Sequence, residues 1–321
     1  MRRFTSIEIC AGAGGQALGL EMAGFQHRAL AEIDSHACAT LRLNRPQWNV
    51  LECDVKNFSA LEYAGTIDLL AGGVPCPPFS IAGKKLGELD ERNLFPEAIR
   101  LIRECRPKAV MLENVRGLME KKFDEYRQTI LKDLEELGYI ASWKLLNASD
   151  FGVPQLRPRA ILVAMLPQYI NFFDWPKEYN EAPLTVGEAL YDEMASFGWK
   201  QVDEWAKGAN EIAPTLVGGS KKHGGPDLGP TRSKRAWAEL GVDGKGLANL
   251  PPEPDFEGIP KMTVRMAAIL QGFPNEWQFA GGKTAAYRQV GNAFPPPVAE
   301  AVGNAIRSAL VEAEASERVI A

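Results

Sequence analysis

Within residues 1–166, short apolar runs rich in β-branched residues alternate with amphipathic stretches. No other feature constrains the fold as much. The runs TSIEIC (5–10), HRALAEID (27–34), NVLEC (49–53), TIDLLAGGV (66–74), KAVMLENV (108–115), YIASWKLLN (139–147) and RAILVAM (159–165) read as strands. Helical patterns fall at 16–23, 35–44, 94–104 and 121–137, with stops at Gly24, Pro46 and Gly138. Strands that alternate with helices through short turns predict a parallel, doubly wound sheet covered on both faces. The expected class is α/β, with a Rossmann-like sheet.

At 321 residues the chain is long enough for a large core and more than one domain. After Leu166 the pattern dissolves into Pro-, Gly- and Trp-rich sequence, and it returns with a helix over 263–273 and another after Pro295-Pro296-Pro297 to about residue 310. We therefore expect a catalytic α/β domain over 1–166, a smaller inserted domain over 167–261, and a segment over 262–321 that completes the first. No apolar run reaches the ~20 residues a membrane span needs, and Met1-Arg2-Arg3-Phe4 does not open a signal peptide. The five cysteines are scattered, which predicts a reduced, cytoplasmic protein with neither a disulfide framework nor a metal site. Thirty-six basic against 41 acidic residues argue against a general nucleic-acid coat, although such a sum conceals local patches.

Several short motifs can carry chemistry. Gly12, Gly14 and Gly15 form a turn between a strand and a helix, where backbone approaches a ligand closely. Glu32-Ile33-Asp34 ends the second strand and suits a ribose diol, and Asp54 ends the third. These features fit an adenine-containing cofactor without separating a nicotinamide dinucleotide from S-adenosylmethionine, and an ordinary tight turn with an exposed acid explains them too. Cys76 stands between prolines directly after the fourth strand, where a thiolate would face the cleft. Glu113-Asn114-Val115 ends the fifth strand beside it, and a carboxyl in a closed pocket can hand over a proton. Alternation puts Gln155, Arg157 and Arg159 on one face, able to clamp a carbonyl oxygen or a phosphate.

Taken in order, these segments resemble the DNA (cytosine-5)-methyltransferase family of bacterial type. GAGGQALGLEMAGF is similar to its cofactor loop, GGVPCPPFS to its nucleophile motif, and ENV and QLRPR to its next two chemical motifs. RMAAILQGFP (265–274) and YRQVGNAFPPPVAEAVGNAI (287–306) are similar to its last two. The resemblance implies a sheet that binds S-adenosylmethionine through Gly12, Gly14, Gly15, Glu32, Ile33, Asp54 and Val55, with Asn292 and Ala293 from the C-terminal segment. It implies methyl transfer to C5 of a cytosine flipped out of duplex DNA. Cys76 adds to C6, Glu113 meets N3, and Arg159 with Arg157 holds the base carbonyl and a nearby phosphate. Ser80, Lys84 and Lys85 would lie against DNA from the loop after the nucleophile. The chain departs from the family at Pro77, where Gln is usual, and at Cys10, Ile33, Glu8 and Ile269.

The region 167–261 resembles a target-recognition domain, with Thr215-Leu216 as its common dipeptide. Residues 218–237 carry Lys221, Lys222, Arg232, Lys234 and Arg235 against one acid, Asp227. That patch would offset phosphates, with His223 and Arg232 as candidate base readers. The implied partners are duplex DNA and a separately acting restriction endonuclease, with the chain a monomer on DNA near a bacterial or phage nucleoid. Other readings remain at this point: a tRNA cytosine C5-methyltransferase, an amino-methyltransferase (Pro77-Pro78-Phe79), a nicotinamide dehydrogenase, and a DNA-binding relative with little catalysis.

Overall fold

A computed structural model describes residues 3–75, 93–218 and 226–320. Among these, seven strands form one sheet: β1 (Phe4–Ile9), β2 (Phe25–Glu32), β3 (Val50–Glu52), β4 (Leu69–Gly73), β5 (Ala109–Val115), β6 (Ile140–Asn147) and β7 (Pro158–Met165). Their order is β3-β2-β1-β4-β5-β7-β6. The first five are mutually parallel, but β7 runs antiparallel to both β5 and β6, which corrects the all-parallel expectation. The cause is the link between β6 and β7, residues 148–157, which is shorter than the dozen or more residues a parallel crossover needs.

The helices are α1 (Gly15–Met22), α2 (Ser35–Asn44), α3 (Phe95–Cys105), α4 (Asp124–Glu136), α5 (Pro167–Ile170), α6 (Val186–Ala195), α7 (Val202–Gly208), α8 (Thr231–Glu239), α9 (Val264–Leu270), α10 (Lys283–Asn292) and α11 (Pro296–Ile320). On one sheet face Ile7, Ile9, Val110 and Leu112 pack against Phe95, Ile99 and Ile102 of α3 and Ile130 and Leu134 of α4. Phe95, Ile99 and Ile102 recur at helical spacing, so α3 turns one stripe inward. On the other face Leu69, Ala71 and Met111 meet Leu20 of α1 and Val302 and Ile306 of α11. Burying such side chains contributes about 1.5–3 kcal/mol each.

The stretch after Leu166, read as irregular from sequence, contains four short helices. Its Trp199, Trp205 and Trp237 share a core with Leu41 and Trp48 beside the sheet and with Met266 and Val290 of α9 and α10. Helix α6 opens with a capping box between Thr185 and Glu188, a signal legible in the sequence. Helix α11 runs to Ile320, beyond the expected stop near residue 310, and α10 had no counterpart in the sequence reading. Among the described residues no helix is long and apolar enough to cross a membrane. The chain runs outward through β1, β2 and β3 and then returns to β4 beside β1. The order reverses there, and open α/β sheets bind ligands at that point.

Candidate active site

The turn after β1 meets the C-terminal segment at the reversal, around a cavity of about 220 Å³. Gly12 lines it, and a Cβ built at Gly12 would meet no atom within 4 Å, so backbone faces open space. Its N–H donates to Glu32 Oε2 at 2.7 Å, while Glu32 Oε1 accepts from the amides of Ile33 (2.9 Å) and Asp34 (2.7 Å). Three amide donors thus fix the carboxylate at the rim. Gly15 is required for a close approach, because a Cβ there would lie 2.1 Å from Phe294 O. Asn292, Ala293 and Phe294 close the far wall. Trp277, also from the C-terminal segment, donates its indole N–H to Ala13 O at 3.2 Å and supports the turn from behind.

The expected cofactor residues divide. Gly12, Gly15, Glu32, Asn292 and Ala293 line the cavity. Gly14 does not. It serves packing, because its φ of 85° is left-handed and a Cβ would sit 2.6 Å from Leu41 Cδ2. Ile33 does not line the cavity and is 66% exposed. Val55 is buried in the core under the sheet, and Asp54 accepts from the Lys56 amide and caps the short helical turn over Val55–Asn57. Asp54 is still near enough that its charge helps raise the Cys10 thiol, which burial first lifts far above the ordinary value. Cys10 therefore lines the cavity as a neutral thiol.

At the other side, Glu113 pairs in register with Gly73 of β4 and Ile161 of β7. Because β7 is antiparallel, its first residues lie beside the last residues of β5, with Val115 opposite Arg159. Arg159 Nε comes 2.7 Å from Glu113 Oε1, with both side chains about one-tenth exposed. At that distance and burial the two groups form an enclosed ion pair. Burial pushes the Glu113 carboxyl above its ordinary value, and the charges of Arg159 and Arg157 pull only partly against it. Such a carboxyl holds its proton more readily and can donate it. Asn114 Nδ2 donates to Val74 O at 2.7 Å and the Val74 amide donates to Glu113 O at 3.2 Å. Pro75 is tied to Leu94, whose amide donates to Pro75 O at 3.3 Å. Cys76, Pro77, Ser80, Lys84 and Lys85 lie outside the described residues, as do Lys221, Lys222 and His223.

Arg157 does something other than expected. It is fully buried, Nη1 donates to Leu216 O at 2.8 Å, and Nη2 donates to Gly291 O at 2.7 Å and Ala293 O at 2.9 Å. Both terminal nitrogens are engaged by backbone carbonyls of two distant segments, so the enclosed guanidinium joins those segments. Gln155 is likewise enclosed, accepting from the Leu216 amide and donating to Leu270 O. Thr215-Leu216 is thereby bound to residues 155–157.

The end of the basic segment is helical. On α8, Arg232 and Arg235 are exposed, while buried Trp237 anchors the helix. Lys234 Nζ is held 2.7 Å from Asp227 Oδ2, which cancels most of its charge for an external anion. Glu8, Gln16 and Arg288 also line the cavity, though the sequence reading gave none of them a place in the site. Glu8 sits in β1, fully buried, with no well-formed hydrogen bond to either oxygen. Burial drives its carboxyl well above the ordinary value, the Ala17 amide offsets this in part, and the Glu32 charge adds to it. Gln16 lies at the start of α1 and Arg288 one helical turn before Asn292. Spacing from Asn292 could have signalled Arg288, whose Nη2 is 3.7 Å from Asp34 Oδ2.

Sheet, glycine turn and acid-rimmed cavity together define the fold of an S-adenosylmethionine-dependent methyltransferase. A solved candidate DNA modification methyltransferase, encoded within an E. coli prophage, superposes with a TM-score of 0.69 at 25% identity, covering 96% of this chain and 99% of that one. Spodoptera frugiperda DNMT2 shares the fold, with a TM-score of 0.60 at 18% identity over 97% of this chain and 99% of that one. The C-5 cytosine-specific DNA methylase profile matches residues 4–308, and the chain belongs to that family. Type II methyltransferase M.NgoMIV of Neisseria gonorrhoeae is 57% identical over 311 residues, 96% of this chain and 98% of that protein. Type II methyltransferase M.NaeI of Lentzea aerocolonigenes is 57% identical over 327 residues, 100% of this chain and 79% of that protein. The protein is a DNA cytosine-5 methyltransferase, of a family and fold that use S-adenosylmethionine.

The cavity suits that cofactor. Its acidic wall of Glu32 and Asp34 favours a sulfonium with an ammonium group, the carboxylate of Glu32 at the rim suits vicinal hydroxyls, and open backbone at Gly12 leaves room.

Proposed function

We propose that this enzyme methylates C5 of a cytosine within a specific duplex DNA sequence, as the modification half of a restriction–modification pair, and works on a base turned out of the helix. The observation that carries this reading is Glu113, a buried carboxyl with a raised proton affinity, paired with Arg159 and lying opposite Gly73, three residues before Cys76 in the sequence. Bound S-adenosylmethionine supplies an electrophilic methyl group. Gly12, Gly15, Glu32, Asn292 and Ala293 would hold it, with Asp54 contributing charge near Cys10 and with Gly14, Ile33 and Val55 shaping the surroundings.

Cys76 gives its thiolate to C6 of the ring, while Glu113 protonates or hydrogen-bonds N3 and draws the electron pair toward C5. The methyl would pass to C5 as the S–CH3 bond breaks, its electron pair staying on sulfur in the departing neutral thioether; loss of the C5 proton to a base would then return the electron pair that expels the Cys76 thiolate from C6. Arg159 keeps Glu113 aimed and offers its remaining N–H groups to the base carbonyl. Ser80, Lys84, Lys85, Lys221, Lys222 and His223, with Arg232 and Arg235, meet DNA, where cations on phosphates give affinity and a few side chains read base edges.

Duplex DNA carrying 5-fluorocytosine at the target tests the sequence of bonds. Fluorine cannot leave as a proton does, so enzyme, DNA and methyl group should remain joined and migrate together on a denaturing gel. Cys76→Ala should bind DNA yet form no adduct. An adduct formed by that variant, or none formed by the native enzyme on a site it methylates, sinks the mechanism.

A further inference from the structure

A second cavity, of about 540 Å³, opens at the N-terminal ends of β1 and β2, where Arg3, Gln26 and His27 line it. The active site takes the C-terminal ends of the same strands. The six residues of β1, at about 3.3 Å each, put roughly 20 Å between the two. The second cavity therefore lies apart from the chemistry.

Its floor is fixed and neutral. His27 Nε2 is 2.8 Å from Ala17 O, which can only accept, so Nε2 carries the proton and Nδ1 accepts from Ser6 Oγ at 2.9 Å. Burial lowers the affinity of this imidazole for a second proton, so the ring carries no charge. Glu21, the acid among the lining residues, is already balanced: Oε2 accepts from Arg45 Nε at 2.7 Å and Oε1 from Trp48 Nε1 at 2.9 Å.

The rim is cationic and polar. The Arg3 guanidinium has no ion pair or hydrogen bond among the described residues. Arg307 comes across from α11 and lies against Gly24, where a Cβ would sit 3.3 Å from its Nε. The side-chain amides of Gln26 and Gln47 are exposed beside them and make no hydrogen bond among the described residues. Guanidinium forks match pairs of phosphate oxygens. An amide presents donor and acceptor together, which matches the edge of a nucleobase. The volume is that of a site for an organic molecule and exceeds what a bare oxyanion fills.

We propose that this cavity binds a nucleoside polyphosphate, its phosphates on Arg3 and Arg307 and its base against Gln26 and Gln47. The site is separate from the cofactor cavity and takes its ligand while that cavity is full.

Calorimetric titration with ATP tests this, on the full chain saturated beforehand with S-adenosylhomocysteine. ATP should bind at one site per chain. Arg3→Gln and Arg307→Gln should each weaken it about ten-fold or more, as for a lost charge-assisted bond, and leave S-adenosylhomocysteine binding within about two-fold. Arg3 precedes β1 and is exposed, so Arg3→Gln decides the matter even where Arg307→Gln disturbs α11. Arg103→Gln, at an exposed arginine of α3 outside the cavity, should leave ATP binding unchanged. Pyrophosphate should displace ATP, and adenosine should bind about ten-fold more weakly or worse. No binding to the saturated chain, equal ATP affinity in the native chain and Arg3→Gln, or adenosine binding as well as ATP overturns the assignment. Displacement of ATP by a duplex of dA and dT alone, dependent on the same two arginines, gives the cavity to a nucleic-acid backbone and overturns it too.

Discussion

Arg159 and Glu113 form a buried ion pair, 2.7 Å apart, that exists only because β7 runs against β5. A parallel β7 would carry Arg159 to the opposite edge of the sheet. Removing either partner leaves a buried charge alone, which costs about 3–5 kcal/mol. Glu113→Ala and Arg159→Ala should each destabilise on that scale. The double variant should cost less than their sum by about 0.5–3 kcal/mol in urea unfolding. Additive losses would show that the two groups do not act as a pair.

Arg157 and Arg159 should separate when each is changed to lysine. Arg157→Lys cannot keep three carbonyl contacts, so stability should fall by about 1.5–3 kcal/mol for each charge-assisted bond lost. Its kcat, measured well below the unfolding temperature, should fall much less. Arg159→Lys should retain most of the stability and lose kcat by about 100-fold or more, since Glu113 would be misaimed. Equal kcat losses would return Arg157 to the chemistry.

Glu8 should make stability depend on pH. Its folded-state proton affinity lies well above the ordinary glutamate value of 4.5. The folded state therefore binds the proton more tightly, and the contribution is fully present below pH 4.5 and lost as pH rises through the folded value. Glu8→Gln removes that loss. The variant should be more stable than the native chain at pH 8, by about 1–3 kcal/mol, with the gap closing below pH 4.5. Glu113 shifts the same way but is present in both proteins and cancels. A gap in denaturant midpoint that does not change with pH would refute the assignment.

Trp277→Phe keeps a ring between Trp48 and Phe273 and deletes the N–H that holds Ala13 O. The turn should then be less well set for the cofactor. KM for S-adenosylmethionine should rise about 3–10-fold, the value of one neutral hydrogen bond, while kcat holds. A change in kcat alone would place Trp277 elsewhere in the cycle.

Features encoded locally were legible from sequence. The glycine turn, Glu32 and Glu113 each sit at the end of a strand whose apolar run is plain, so strand boundaries place them. Arg157 was misread because its partners are carbonyls of Leu216, Gly291 and Ala293, and backbone acceptors leave no mark in a sequence. Ile33 and Val55 follow the right residues but do not line the cavity: both lie just past the ends of their strands, where the turn geometry leaves Ile33 exposed and puts Val55 in the core. The antiparallel β7 was within reach, since the length of the 148–157 link forbids a crossover. The helices after Leu166 escaped because α5, α7 and α8 are short, and only Thr185 and Glu188 announce α6.

The cofactor cavity takes Glu8, Gly12 and Gln16 from near one end of the chain and Arg288, Asn292 and Phe294 from near the other. The two walls come from stretches far apart in the sequence, so neither grips a ligand by itself and the receptor comes into being only when both have folded against the sheet. Cutting the backbone between them and separating the pieces should therefore abolish cofactor binding even where the glycine turn survives intact.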